Sequence, residues 1–363
     1  MKRQIISLLL LICLVLPACG AASDVTPSGS AHVSSEGNLT VYFLDVGQSD
    51  TSLILVNDQA MLIDGGAASS SSKIYAFLKE LDITHLDYIV ATHAHAEHVG
   101  GLSGALNYAT AGVILCPVTF YNTRTFENFI KYANEQGNEI TVPKAGDIFT
   151  LGSAEVTILN PVFPANDGNH TNDDSIVLRI VFGETSFLFT GDAERAAEAA
   201  ILDAGYYLSS TVLKVGHHGS DTSTTYPFLR EIMPEYAVIS CGKDNMYGHP
   251  HENLLSRLRD ADVKVFRTDM QGTITCVSDG KTVAFQTERN ATIKTNTTEG
   301  TKPSAQFDST QGDADDFYIA NINTRKFHKP DCSSLPNEEN RLYFATRETV
   351  VDEGYTPCGR CNP

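Results

Sequence analysis

The apolar positions between residues 39 and 287 change period repeatedly, and each change marks an element. Runs at 39–44, 52–56 and 60–63, rich in Leu, Val and Ile and separated by Gly and Asp turns, predict three successive strands. Residues 73–81 carry apolar side chains at helical spacing, and 86–91 return to a strand. A helix over 99–108, a strand over 112–116 and an amphipathic helix over 125–134 complete the first half. In the second half strands are predicted at 155–159, 175–182, 186–189, 212–215 and 237–240, helices at 194–202, 228–232 and 252–258, with three further strands closing near Thr287. Strands interleaved with helices in both halves predict an α/β class, with two mixed sheets inside and helices outside in a four-layer αββα sandwich.

Both ends of the chain break this pattern. Residues 1–19 combine basic Lys2 and Arg3 with an apolar run too short to be a stable span, and read as a signal peptide. Its ending, Leu16-Pro17-Ala18-Cys19, resembles the bacterial lipobox. That resemblance implies lipid attachment at Cys19, an extracytoplasmic location and a cell-membrane lipoprotein. Residues 20–37, rich in Ser, Ala and Gly, read as a flexible spacer. Residues 288–316 are poor in apolar side chains and are expected to be a disordered linker, which leaves 317–363 as a separate small module.

Lys and Arg total 26 against 44 Asp and Glu, a formal charge of -18. Without Lys2 and Arg3 the balance is 24 against 44, or -20. Such a chain repels polyanions at long range, so chemistry on phosphates needs a local positive centre such as bound metal. Of the eight cysteines, Cys116, Cys241 and Cys276 are isolated in apolar runs and read as buried small hydrophobes.

The candidate chemistry begins in the segment Thr92-His93-Ala94-His95-Ala96-Glu97-His98, directly after a predicted strand. Three imidazoles and a carboxylate within six positions are divalent-metal ligands, and a turn at a strand end can aim them at one point. Asp64, Asn172, Asp192, the pair His217 and His218, and His249 also fall where strands end. Six or more ligand-type groups along one sandwich edge imply two ions, zinc or manganese, which activate water for hydrolysis of phosphoesters or acyl groups.

The segment from Thr92 to His98 resembles the His-x-His-x-Asp-His motif of the metallo-β-lactamase superfamily. Within it, the runs LDVGQSD from Leu44, NDDS from Asn172, FTGD from Phe189, LKVGHHGS from Leu213 and YGHP from Tyr247 resemble the hydrolase domains of ComEC-type bacterial competence proteins. The resemblance spans 38–287 and implies the αββα fold and a two-metal hydrolase. It places His93 and His95 on one ion and Glu97 and His98 on the other, with Asp192 bridging and Asp64 orienting the histidine loop from behind. The last ligand falls on His217 or His218, with His218 favoured. His249 becomes a substrate-phosphate contact or proton donor at the leaving oxygen, with Lys214 and Ser220 as phosphate contacts. Glu97 replaces the usual Asp, which adds a methylene at the second ion. A further histidine ligand has no clear counterpart: Asn172 occupies its place and His170 lies two residues earlier. An amide oxygen suits manganese better than zinc.

In the last segment, His328 and Cys332 followed by Cys358 and Cys361 give the spacing of a closed tetrahedral zinc site. The segment resembles the Ada zinc-binding domain, with His328 where that domain carries its methyl-accepting cysteine, so a structural zinc is expected rather than methyl transfer. The resulting expectation is a lipid-anchored, two-metal hydrolase acting on phosphodiesters, DNA first among them, catalysed by Glu97, Asp192 and His249. Its alternatives are a tethered, non-catalytic binding protein and a lactonase or lactamase.

Overall fold

The computed structural model describes residues 37–162, 172–297, 318–321, 324–329, 332–336, 341–344, 347–352 and 354–363. The signal peptide with Cys19, nearly all of the spacer, His170 and positions 298–316 of the expected linker lie outside the described residues.

The first half builds β1 (Leu39–Phe43), β2 (Ser52–Val56), β3 (Gln59–Ile63), α1 (Ser71–Glu80), β4 (His85–Val90), α2 (Ala96–Val99), α3 (Leu102–Tyr108), β5 (Thr110–Leu115), α4 (Arg124–Glu135) and a short β6 (Ile140–Thr141). The second half builds β7 (Ile148–Leu151), β8 (Ala154–Asn160), β9 (Val177–Phe182), β10 (Thr185–Phe189), α5 (Arg195–Asp203), β11 (Val212–Lys214), α6 (Tyr226–Ile232), β12 (Tyr236–Ile239), α7 (Glu252–Asp260), β13 (Lys264–Arg267), α8 (Thr268–Gln271), β14 (Ile274–Ser278) and β15 (Val283–Thr287). β16 (Tyr318–Asn321), β17 (Lys326–His328), β18 (Arg341–Phe344), α9 (Arg347–Asp352) and β19 (Thr356–Pro357) form the last segment.

Two large sheets result. The eight-stranded sheet runs β15-β14-β1-β2-β3-β4-β5-β6, and the seven-stranded sheet runs β13-β12-β11-β10-β9-β8-β7. Alternation along β1 sends Leu39, Val41 and Phe43 into the inter-sheet core, where Phe43 stacks on Phe189 of β10 at 6.0 Å between centroids. Ile74, Leu78, Leu102, Phe126 and Phe129 pack the helices of the first half on the outer face of the first sheet. Ala197, Ile201, Phe228, Leu254 and Leu258 do the same for the second. These are the four expected layers. The third sheet, β18-β16-β17-β19, belongs to the C-terminal module, whose core is Ala320, Phe327, Phe344, Val350 and Tyr355.

Three sequence expectations change. The helix expected over 99–108 is broken into α2 and α3 at Gly100-Gly101, because the segment passes against the neighbouring turn. A Cβ on Gly101 would lie 1.9 Å from the carbonyl oxygen of Gly65. β6 and β7 were not expected. Residues 288–297, expected to begin the linker, are instead tied to the sandwich: Arg289 donates to Asp45 at 3.0 Å, Asn296 to the Leu255 carbonyl at 3.1 Å, and Thr295 to the Val265 carbonyl. Polar composition does not release a segment whose side chains find fixed partners.

Candidate metal centre

Strands β3–β4–β5 run parallel, as do β10–β11–β12–β13, and the C-terminal ends of β3, β4, β10, β11 and β12 bring the site together. Asp64, after β3, takes the left-handed conformation at φ 57°. Its two oxygens accept from the backbone N–H of Thr92, the Thr92 hydroxyl and His98 Nδ1, each at 2.8 Å. The Nε2 of His98 is thereby aimed at Asp192, 3.2 Å away. Burial opposes charge on His98, but Asp192 and Asp64 outweigh it and raise its pKa well above the ordinary value.

His218 mirrors this arrangement from the other sheet. Its Nδ1 lies 3.2 Å from Asp50 and 3.2 Å from the Ser240 carbonyl, and its Nε2 faces Asp192 at 3.5 Å. Asp50 also receives Lys214 Nζ at 2.6 Å. Burial would raise the Asp50 pKa, yet Lys214 and His218 outweigh it and bring it down to about 2. His217 points Nε2 at the same Asp192 oxygen from 3.8 Å, with its Nδ1 on Glu194 at 3.1 Å. Both histidines have φ near +50°, a costly backbone for side-chain-bearing residues that recurs at functional sites.

Asp192 sits between these groups, 1% exposed. Burial would make it hard to ionise, but His98, His218 and His217 hold its pKa well below the carboxylate range. His93 Nε2 and His95 Nδ1 are 3.0 Å apart. Two nitrogens bound to one zinc at tetrahedral to octahedral angles stand roughly 3.0–3.4 Å apart. Ser175 links the halves, accepting from the Asp192 N–H at 3.1 Å while its hydroxyl lies 3.3 Å from His93 Nδ1. Burial, with His98 and His95 nearby, depresses the His93 pKa well below normal, which keeps the ring neutral as a ligand must be.

The fit to metal follows from polar atoms buried without a hydrogen-bond partner. At the cluster they include His98 Nε2, His218 Nε2, Glu97 Oε2 and both Asp192 oxygens. Buried polar groups are normally satisfied, and this set consists of metal-ligand types converging on one cleft. Glu97, His98, Asp192 and His218 each offer a ligand atom within 4.8 Å of the others, so the extra methylene of Glu97 does not remove it from the cluster. Of the two adjacent histidines, His218 joins this set.

The expected substrate contacts fare differently. Lys214 is 3% exposed and bound to Asp50 and, at 3.1 Å, to the Val215 carbonyl, so it supports the histidines instead of reaching into the cleft. Ser220 is buried, with its hydroxyl on Thr222 Oγ1 at 2.8 Å inside its own turn. Both are corrections to roles as phosphate contacts. His249 does face the site, its ring 5.6 Å from that of His217. Gln48 accepts the Gly242 N–H at 2.9 Å through its oxygen, so its amide nitrogen donates to His249 Nδ1 at 3.2 Å. That leaves the His249 proton on Nε2. Burial and the neighbouring His217 and His251 push its pKa well below normal, making it a neutral donor. Asp50, Gln48 and Glu194 carry roles that the sequence reading did not assign; the first two lie in the run from Leu44 to Asp50.

Beyond His95, whose ring is 6.0 Å from that of Tyr121, an apolar groove of about 500 Å³ runs past Phe120, Tyr121, Phe126 and Ile130. Phe120 is 67% exposed there.

Histidines and carboxylates gathered at the C-terminal ends of strands from two paired sheets match one known family. Residues 44–243 match the family described as Metallo-beta-lactamase superfamily. The chain belongs to this superfamily. Residues 305–363 match the metal binding domain of Ada. ComE operon protein 3 of Bacillus subtilis (strain 168) is 33% identical over 260 residues, covering 67% of this chain and 33% of that protein. Competence protein ComA of Neisseria gonorrhoeae is 30% identical over 255 residues, covering 70% and 34%. The chain thus spans about a third of the length of these curated relatives. Among solved structures, the metallo-beta-lactamase fold protein YhfI from Bacillus subtilis aligns with a TM-score of 0.46 and 13% identity, over 67% of this chain and 100% of that one. The chain is a superfamily hydrolase related to competence proteins, and its fold implies divalent metals.

In the C-terminal module, His328, Cys332, Cys358 and Cys361 offer ligand atoms within 4.8 Å of one another. The three thiols are unpaired, and Cys358, which accepts from the Arg360 N–H and a Ser334 hydroxyl, is brought down to a pKa of about 6. Cys358 is thus a thiolate at neutral pH, as a tetrahedral zinc site requires, whereas burial pushes Cys361 up to about 11, so a bound metal would have to displace its proton.

Proposed function

We propose that the chain is an exported, lipid-anchored, two-metal hydrolase of phosphodiesters, with DNA the first candidate substrate. The observation that carries this reading is Asp192, a buried oxygen donor held ionised by His98, His218 and His217 and clustered with Glu97, His98 and His218, with the His93/His95 pair tied to it through Ser175. Bound there, two divalent ions supply a deprotonated water and neutralise charge developing on a phosphoryl oxygen. His93 and His95 would hold one ion and Glu97, His98 and His218 the other, with Asp192 shared; Asn172, whose side-chain oxygen is buried without a partner, is a candidate further ligand. His249, with Nε2–H outward, would donate a hydrogen bond to the leaving oxygen. The groove beside Tyr121 would take the non-phosphate part of the ester. The lipid anchor rests on the segment ending at Cys19; among the described residues no helix is long and apolar enough to cross a membrane.

The test is metal content together with turnover of bis(para-nitrophenyl) phosphate and of single- and double-stranded DNA. Metal-loaded protein should cleave a diester, and Asp192→Asn should abolish it. Metal-replete protein inert on every one of these substrates would overturn the proposal.

A further inference from the structure

An aromatic path joins the core of the C-terminal module to the metal centre. Phe344, at the end of β18 and 1% exposed, meets Tyr247 edge to face, with centroids 6.0 Å apart and planes at 77°. Tyr247 packs against the module core and stacks on His249 at 5.6 Å and 26°. His249 in turn lies 5.6 Å from His217.

The other restraints on His249 leave work for Tyr247. Asn245 clamps the backbone, accepting the His249 N–H at 3.0 Å and donating to its carbonyl at 2.6 Å. Gln48 holds one ring nitrogen. A single hydrogen bond permits the imidazole to swing about it; His251 and His217 meet the ring edge to face at 4.7 and 5.6 Å, and of the two near-parallel neighbours Tyr247 at 5.6 Å is closer than His218 at 6.5 Å, so Tyr247 supplies the nearer face-on restraint. Phe344 is held only as firmly as its module. Among the described residues the module's core cluster holds five buried apolar side chains, a small core that gains from a staple. The candidate zinc ligands bracket its sheet: His328 ends β17 and Cys358 follows β19, while β16 pairs with β17 on one side and with β18 on the other, setting Tyr318 opposite Phe344.

We propose that the C-terminal zinc module positions His249, its metal holding the sheet that presents Phe344, Phe344 pinning Tyr247, and Tyr247 fixing the outer face of the imidazole. The proposal rests on the hydrolase reading for its kinetic readout only. The module is then a wall of the hydrolytic cleft, and Tyr247 and Phe344 are positioning residues.

The test compares full-length wild type with Phe344→Ala, Tyr247→Leu, Tyr247→Phe and Cys361→Ser. Two readouts are taken: kinetics on bis(para-nitrophenyl) phosphate, and the His249 ring-proton shift by NMR, which senses the ring current of Tyr247. Phe344→Ala and Cys361→Ser, which keep the Tyr247 ring, should each move the His249 signal, and these two and Tyr247→Leu should lower kcat by about tenfold to a hundredfold, with KM within about twofold. Tyr247→Phe, which keeps the ring, should restore both. The positioning role is overturned if Cys361→Ser loses one zinc while the His249 shift and kcat stay at wild-type values, or if kcat falls with no movement of the shift. Should the wild type cleave no diester, the hydrolase reading fails separately, and the NMR comparison alone decides this one.

Discussion

Asp64→Asn isolates the orientation of one ligand. Asparagine tolerates the left-handed backbone at this position, and its oxygen can still accept the Thr92 N–H, so the fold should survive. The other oxygen, which accepts from the Thr92 hydroxyl and from His98 Nδ1, becomes a donor. His98 must then present a bare Nδ1 and move its proton to Nε2, the atom 3.2 Å from Asp192. A protonated Nε2 cannot bind metal. Loss of an orienting carboxylate costs about 10–100-fold in metal affinity, or about 1.4–2.7 kcal/mol. The loss should fall on the ion shared by Glu97, His98 and His218 and spare the His93/His95 ion. Zinc titration against a chromogenic chelator should therefore show one weakened step out of two, and nitrogen NMR should report the switched His98 tautomer. Two ions held at wild-type affinity, with His98 still protonated on Nδ1, would refute the reasoning.

Two further outcomes follow from buried charge. Lys214→Met should destabilise the metal-free protein by about 3–5 kcal/mol in urea, because the Asp50 carboxylate loses its buried partner, and adding Asp50→Asn should recover part of that loss; an unchanged midpoint would show that the pair contributes nothing. Glu198, whose carboxyl accepts the backbone N–H groups of Thr224 and Thr225, is pushed up by burial from 4.5 to about 7. The folded state therefore binds the extra proton across that window: its stabilising effect is complete below pH 4.5 and is lost as pH rises through 7, by about 3 kcal/mol. Metal-free wild type should lose that stability relative to Glu198→Gln between the two pH values, and parallel pH profiles would contradict it.

Much of the scaffold could be read from period alone, since strands such as β2 bury nearly every side chain and helices such as α4 carry a sharp apolar stripe. The His93–His98 loop was legible because metal chemistry concentrates rare residue types. What escaped the sequence was pairing at long range. Asp50 and Lys214 are 164 positions apart, and nothing local distinguishes a lysine that binds phosphate from one neutralised by a buried aspartate. Gln48 is equally silent: its role depends on Gly242 fixing the amide orientation. β6 and β7 are only two and four residues long, below what alternation can reveal.

The ligands come from both halves, with His93 and His218 separated by 125 positions and Asp192 between them. A chain in which only the first sheet has formed can offer an ion the His93/His95 pair and the first-half members of the second set, but neither the shared carboxylate nor His218. High-affinity loading therefore waits until the second sheet docks. Which metal occupies the site is then decided by the ions present where and when the two sheets come together.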